Sequence, residues 1–319
     1  MYFVLFQLIM NKIIFIVGPT AVGKTEVSIL LAKKLKGEIV SCDSMQIYKE
    51  VNIASNKPTP AQLKKIRHHL IGIVSVKDNF DVAAFNRQAL KAIAAIHRKD
   101  KIPIVVGGSG LYMRVLLDGI FQGGEREKRI REDLVQQLKT HGHAFFYEKL
   151  KEVDSQAALK IHPHDGRRII RALEVYMAKG QRISKLQKKR RGLWGEHDIS
   201  IFALTMDRQL LYQRIDRRVE AMFAQGLVME IKKLLSMPLS LTAQHIIGVK
   251  EVGGYLRGAY DLARAQYLMQ RNTRHFAKRQ LTWFRKDKRL HWIELKPHVK
   301  LEQIVDDMMS QVTKSHSHK

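Results

Sequence analysis

The residues able to do chemistry begin with Gly18-Pro19-Thr20-Ala21-Val22-Gly23-Lys24-Thr25, which fits the spacing G-x-x-x-x-G-K-[ST]. Glycines let the backbone approach an anion, and successive N–H groups turn inward to meet it. Lys24 can neutralise terminal phosphate oxygens, and the Thr25 hydroxyl can ligate Mg²⁺. The spacing specifies phosphate or pyrophosphate; it does not specify ATP. A second group is Asp43-Ser44-Met45-Gln46-Ile47-Tyr48. Asp43 stands just past a strand-like run, where open α/β sheets place their chemistry. It reads equally as a general base or metal-shell ligand and as a cap on a following turn. A third group is Gly107-Gly108-Ser109-Gly110-Leu111-Tyr112, a second glycine turn after a strand, with Ser109 as a hydroxyl donor to a charged group. Arg214 and Arg218 are four apart on a helical pattern. They could aim two guanidinium groups at one phosphate, or pair with Asp216 or Glu220 in solvent. His68 and His69 suggest metal at first glance. Neighbours in a strand point to opposite faces, so a structural or phosphate-facing role is expected instead.

These groups need elements to hold them. Ile13 to Val17 and Glu38 to Cys42 read as buried strands, and so does Ile102 to Val106. Glu26 to Lys36 and Asp81 to His97 read as helices. From about Gly119 to His197 strand patterns vanish. Amphipathic helices are expected over Glu127 to His141, Ala144 to Val153 and Asp165 to Lys179. Ile199 to Leu204 returns to strand, Asp207 to Phe223 to helix, and Gln270 to Arg289 to a densely basic helix. The tail from about Pro297 is weakly patterned, and disorder is expected from Lys314 to Lys319. The expected division is an α/β core over 1–118, a helical insertion over 119–198, the returning core over 199–295 and a tail over 296–319. The apolar residues Met1 to Met10 lack a basic leader and a small-residue cleavage site, and Met10 is the expected true start.

The charge is the unusual property. The chain has 319 residues, with 56 Lys and Arg against 30 Asp and Glu, a formal net charge of +26. An enzyme of small metabolites has no need of this, whereas a polyanion such as RNA explains it. Six Lys or Arg and no acid lie between Arg182 and Arg191, which points to RNA contact on the insertion. The lone cysteine, Cys42, excludes an internal disulfide and suits a reducing cytosol; it reads as core. No strand here ends in the apolar run plus Asp that completes a nucleotide hydrolase site, which weakens a motor-ATPase reading.

Taken together, the blocks resemble the tRNA dimethylallyltransferase family from about Ile13 to Trp292. They are Gly18 to Thr25, Asp43 to Tyr48, His68-His69-Leu70, Gly107 to Tyr112, Ile161-His162-Pro163, Arg168 to Tyr176, and Ala277 to Phe284. The resemblance implies a P-loop NTPase-like parallel sheet flanked by helices, with an inserted helical tRNA-binding domain. It implies that the phosphate loop grips dimethylallyl diphosphate with Mg²⁺ at Thr25. The acceptor would be N6 of adenosine 37, flipped out of the anticodon loop of tRNAs reading codons that begin with U. Asp43 resembles the family's general base; Lys24, Ser109 and Arg218 match positions near the leaving pyrophosphate. Implied tRNA contacts are Asp43, Ser44, Met45, Gln46, Ser109, Arg131, Arg167, Arg168, Ile169, Ile170, Arg171, His245, Ile246, Ile247, Gly248, Val249 and Lys250. Ser109, Gly72 and Val249 stand where threonine, aspartate and tyrosine are common in the family. The expected partners are the tRNA anticodon stem-loop and dimethylallyl diphosphate. A cytoplasmic monomer with no membrane association is expected. Two other readings keep the loop but change the ligand: a small-molecule kinase, and a non-catalytic RNA-binding protein.

Overall fold

The computed structural model describes residues 11–121 and 127–314. The proposed start at Met10 and the expected disorder beyond Lys314 lie outside the described residues. The chain divides into two compact units, one running to Leu116 and resuming at Trp194, the other spanning Leu117–Leu193.

The first unit is built on a sheet of six parallel strands. In chain order they are β1 (Lys12–Val17), β2 (Glu38–Ser41), β3 (His68–His69), β4 (Pro103–Gly107), β5 (Asp198–Thr205) and β6 (His291–Glu294), laid side by side as β3-β2-β4-β1-β5-β6. β1 sits between β4 and β5, with Ile14 opposite Ile104 and Phe15 opposite Ile201. A strand paired on both edges and covered on both faces must be apolar throughout, and Ile13 to Ile16 are fully buried. Parallel strands need crossovers, supplied here by helices. These include α1 (Lys24–Lys34), α2 (Pro60–Lys65), α3 (Val82–His97) and α4 (Gly110–Asp118). The Asp81 carboxylate starts α3 by accepting from the N–H groups of Ala83 and Ala84.

The second unit is helical: α5 (Lys128–Val153), α6 (Ser155–Ala158), α7 (Gly166–Lys179) and α8 (Ile183–Lys188). α5 is broken at Gly142, whose φ of 77° and ψ of 174° are not helical, so two expected helices meet there. Phe146, Leu150, Ile169, Ile170 and Leu173 pack the unit's own core.

After β5 the first unit adds α9 (Arg208–Ala224), α10 (Leu227–Leu235), α11 (Val249–Leu256) and α12 (Leu262–Phe284), then β6 and α13 (Leu301–Lys314). Two expectations are corrected here, and one strand is added. The basic helix starts at Leu262 and stops at Phe284 rather than running to Arg289. The turn that follows feeds β6, a short edge strand too brief for alternation to reveal. The weakly patterned tail is a helix: Ile304, Val305, Met308 and Val312 join the core that also holds Leu31 and Ala32 of α1. The buried Lys12 ammonium bonds both the Asp198 carboxylate, at 2.8 Å, and the Val312 carbonyl, at 3.1 Å. No helix among the described residues is long and apolar enough to cross a membrane.

Candidate active site

The loop between β1 and α1 lies at the carboxyl edge of the sheet. Gly23 has φ 106°, a left-handed conformation that glycine adopts without strain, and it opens α1. Lys24 folds back so that its ammonium bonds the carbonyls of Gly18, at 2.9 Å, and Pro19, at 2.7 Å. Burial pulls its pKa down to about 8, although the Asp43 carboxylate works in the opposite direction. Arg218, on α9, donates to the Thr20 hydroxyl at 3.1 Å. One cleft is lined by Thr20, Gly23, Lys24, Thr25, Asp43, Gln46 and Arg218. Lys24 and Arg218, the hydroxyls of Thr20 and Thr25, and the carboxylates of Glu26 and Asp43 thus share one cleft, drawn from segments far apart in sequence.

Asp43 carries both roles left open by its position. Its Oδ1 accepts from the N–H of Met45, at 2.9 Å, and of Gln46, at 3.4 Å, so it caps the turn after β2. Its Oδ2 makes no hydrogen bond among the described residues and remains able to accept a proton. Ser109 does not line this cleft. Its hydroxyl accepts from the Ser44 N–H at 3.2 Å and donates to the Ser44 hydroxyl at 3.3 Å, because β2 and β4 are neighbours whose ends must be joined. Arg214 lines an adjoining, mainly apolar recess with Arg217, Met206, Leu210, Leu295 and Lys296, which meets the cleft at Gly23 and Glu26. Asp216 pairs instead with Arg274.

Sequence reading gave no role to Gln280 of α12, which is almost fully buried. Its Oε1 accepts from the Thr20 N–H at 2.9 Å and its Nε2 donates to the Gly108 carbonyl at 2.9 Å. One amide therefore joins the phosphate loop to the second glycine turn. A Cβ on Gly108 would stand 2.2 Å from the Gln280 amide nitrogen, and one on Gly110 would stand 2.1 Å from the Trp283 ring. These glycines admit α12, which makes the second turn a packing seam. The block Ala277 to Phe284 was the available signal.

His68 and His69 lie on the edge strand, away from the cleft's lining. His69 bonds the Glu38 carboxylate at 2.7 Å and His68 bonds the Ile66 carbonyl at 2.8 Å. Burial opposes ionisation of Glu38, yet His69 and Lys101 hold its pKa at about 2. Among the described residues no three His, Cys, Asp or Glu side chains are placed to hold a metal ion. Cys42 is buried, and burial pushes its thiol up, so it is inert core.

The residues marked for RNA contact divide into two kinds. In the helical unit, Arg167 and Arg168 are exposed. Arg131 and Arg171 instead flank the fully buried Glu174, at 3.0 and 3.1 Å. Ile169 and Ile170 are core, at 0% and 3% exposure, and present no side chain to a partner. In the α/β unit, His245 and Lys250 are exposed, whereas Ile246 and Val249 are buried and Gly248 caps α11. Ile169, Ile170, Ile246 and Val249 turn toward a core, which a segment-wide match cannot distinguish.

Comparison with known proteins gives a consistent answer. Residues 46–287 match the family model described as IPP transferase. A tRNA dimethylallyltransferase of Alkaliphilus oremlandii is 43% identical over 93% of this chain and 95% of its own. A crystal structure of a full-length tRNA isopentenylpyrophosphate transferase from Bacillus halodurans superposes with TM-score 0.70 at 35% identity, covering 95% of this chain and 97% of the other. A eukaryotic dimethylallyltransferase captured acting on tRNA superposes with TM-score 0.81 at 29% identity, covering 94% and 80%.

Proposed function

The chain belongs to the IPP transferase family, whose matching members are tRNA dimethylallyltransferases, and from that premise we propose the reaction in detail. The dimethylallyl group passes from dimethylallyl diphosphate to N6 of adenosine 37 in the anticodon loop of tRNAs that read codons beginning with U. The observation that carries this reading is the shared cleft of Lys24, Thr25, Asp43 and Arg218.

The bond between the allylic carbon and the diphosphate oxygen breaks, and the electron pair leaves with diphosphate. Negative charge grows on oxygens that the loop N–H groups, Lys24 and Arg218 surround. Lys24 exchanges the carbonyls of Gly18 and Pro19 for the stronger charge-assisted bonds of the diphosphate. The N6 lone pair forms the new carbon–nitrogen bond, and the nitrogen becomes acidic as it does so. Asp43 Oδ2 takes the released proton, while Oδ1 keeps the carboxylate oriented through its two N–H contacts.

Mg²⁺ fits the donor set of this cleft, whose hard oxygens include the Thr25 hydroxyl and the Glu26 and Asp43 carboxylates. Thr25 would hold it beside the diphosphate, where it would neutralise charge on the leaving group. The exposed cations of both units give the +26 chain its affinity for the tRNA backbone. The protein acts on tRNA in the cytoplasm as a monomer.

A turnover assay tests this directly. Protein, Mg²⁺, dimethylallyl diphosphate and unmodified tRNA carrying A36-A37-A38 are incubated, and digested nucleosides are weighed by mass spectrometry. Prenylated adenosine that disappears when the tRNA carries guanosine at position 37 supports the reading. ATP hydrolysis without prenyl transfer would mean that the loop is a nucleotide site.

A further inference from the structure

The cleft has a wall that no motif marks. Residues 52–58 form a tight loop after β2, and Ser55, Asn56, Lys57 and Pro58 line the cleft beside Asp43 and Gln46. Asn56 turns the loop at φ 49°, a left-handed conformation that asparagine tolerates.

The loop's support comes from far along the chain. Glu230, on α10, accepts from three consecutive backbone N–H groups, those of Asn52, Ile53 and Ala54, each at 2.9 Å. Three converging N–H groups form a concave donor set of the kind that binds anions, and here the anion is a side chain of the same molecule. The inner side of the loop is tied by Gln46, whose Nε2 donates to the carbonyls of Asn56, at 3.1 Å, and Ser55, at 3.4 Å. The Lys57 ammonium bonds the carbonyls of Tyr48 and Lys49 and the Asn52 amide oxygen. Lys57 is therefore a clasp within the loop, and its charge stands near that of Glu230.

We propose that Glu230 is a positioning residue for the acceptor side of the cleft. It holds the loop 52–58 against Gln46, which in turn sits three residues from Asp43. This rests on the assignment of Asp43 as the base that meets the acceptor amine. The donor side of the cleft is built from the phosphate loop and Arg218, neither of which touches Glu230. The carboxylate therefore governs the acceptor and leaves the diphosphate alone.

The variant Glu230→Gln keeps the size of the side chain but turns one acceptor into an NH₂ group facing backbone N–H groups. Steady-state prenyl transfer is measured with each substrate varied in turn, alongside amide hydrogen exchange over residues 52–56. The expected result is a KM for tRNA raised about tenfold, a several-fold lower kcat, and a KM for dimethylallyl diphosphate within twofold of wild type. The amides of residues 52–54 exchange faster. If Glu230→Gln fails to fold, Glu230→Asp, which keeps the charge and loses only reach, carries the same comparison. Faster exchange with both KM values and kcat unchanged overturns the proposal, as does an equal rise in both KM values. Wild-type protein that transfers no prenyl group removes the reading of the cleft itself, and this assignment with it.

Discussion

The cationic groups of the two units meet opposite fates. In the α/β unit, Lys24 and Arg218 stand in a cleft with the carboxylates of Glu26 and Asp43, and Asp43 is held by backbone N–H groups and forms no ion pair with either cation. In the helical unit, Arg131 and Arg171 are locked on Glu174, which is fully buried. Neither set declares its role in sequence, because Lys24 and Arg218 lie far apart along the chain, and so do Arg131 and Arg171. The difference shows that a cation's role is set by whether its neighbours leave it available. In the cleft, cations rest on neutral oxygens of the phosphate loop; beneath the helical surface, they neutralise a buried charge.

The sharpest break of this contrast is Asp43→Asn. Loss of a positioned general base costs about 10²–10⁴ in rate, so turnover should fall by about a thousandfold while tRNA affinity, read by filter binding, stays within twofold. Retained turnover would leave Asp43 as a turn cap alone. Arg218→Ala should lower kcat by about a hundredfold, the scale of removing one donor to developing charge, with a smaller change in tRNA affinity. The reverse pattern would move Arg218 to the RNA-facing set.

On the other side of the contrast, Glu174→Gln should reduce stability without touching the chemistry. Arg131 and Arg171 are each about a quarter to a third exposed and can rehydrate. The loss should therefore lie near 2 kcal/mol, below that for a stranded buried charge, and denaturant unfolding measures it. Unchanged stability would mean that the two arginines are free for RNA after all. Lys24 supplies a pH test. Its pKa is lowered to about 8, so the ammonium is present at pH 7 and is lost as pH rises through 8. The KM for dimethylallyl diphosphate should rise about tenfold between pH 7 and pH 9, and Lys24→Arg should flatten that rise because guanidinium stays charged. The smallest effect belongs to Arg167, which is exposed and makes no ion pair among the described residues. Arg167→Ala should lower the slope of log affinity against log salt by about one, with kcat at saturating tRNA unchanged.

Much of the fold was legible because its signals are local. The buried strands from Ile13, Ile102 and Ile199 read as apolar runs, since parallel strands covered on both faces leave no polar positions. Asp81 and Asp165 marked two helix starts, where each caps backbone N–H groups. α13 was missed because one apolar face on a short C-terminal helix looks weak until α1 is seen beneath it. β6 was missed because four residues carry too little pattern. At the site, the phosphate loop and Asp43 were marked by spacing and strand position. Ser109 was placed toward the diphosphate, while its hydroxyl is engaged by Ser44.

The sequence alone determined the phosphate loop of the cleft, because a glycine-rich loop between strand and helix builds its geometry from contiguous backbone; Arg218 reaches it only through the fold. It also determined the charge that suits an RNA partner. Tertiary structure decided everything that needed two distant segments. It brought the Gln280 amide across 260 positions to the Thr20 N–H, and the Glu230 carboxylate across 178 to the Asn52 N–H. A bond between one side chain and a remote backbone group leaves no periodicity, spacing or composition in the chain. Only the packing of α10 and α12 against the loops could assign those residues their work.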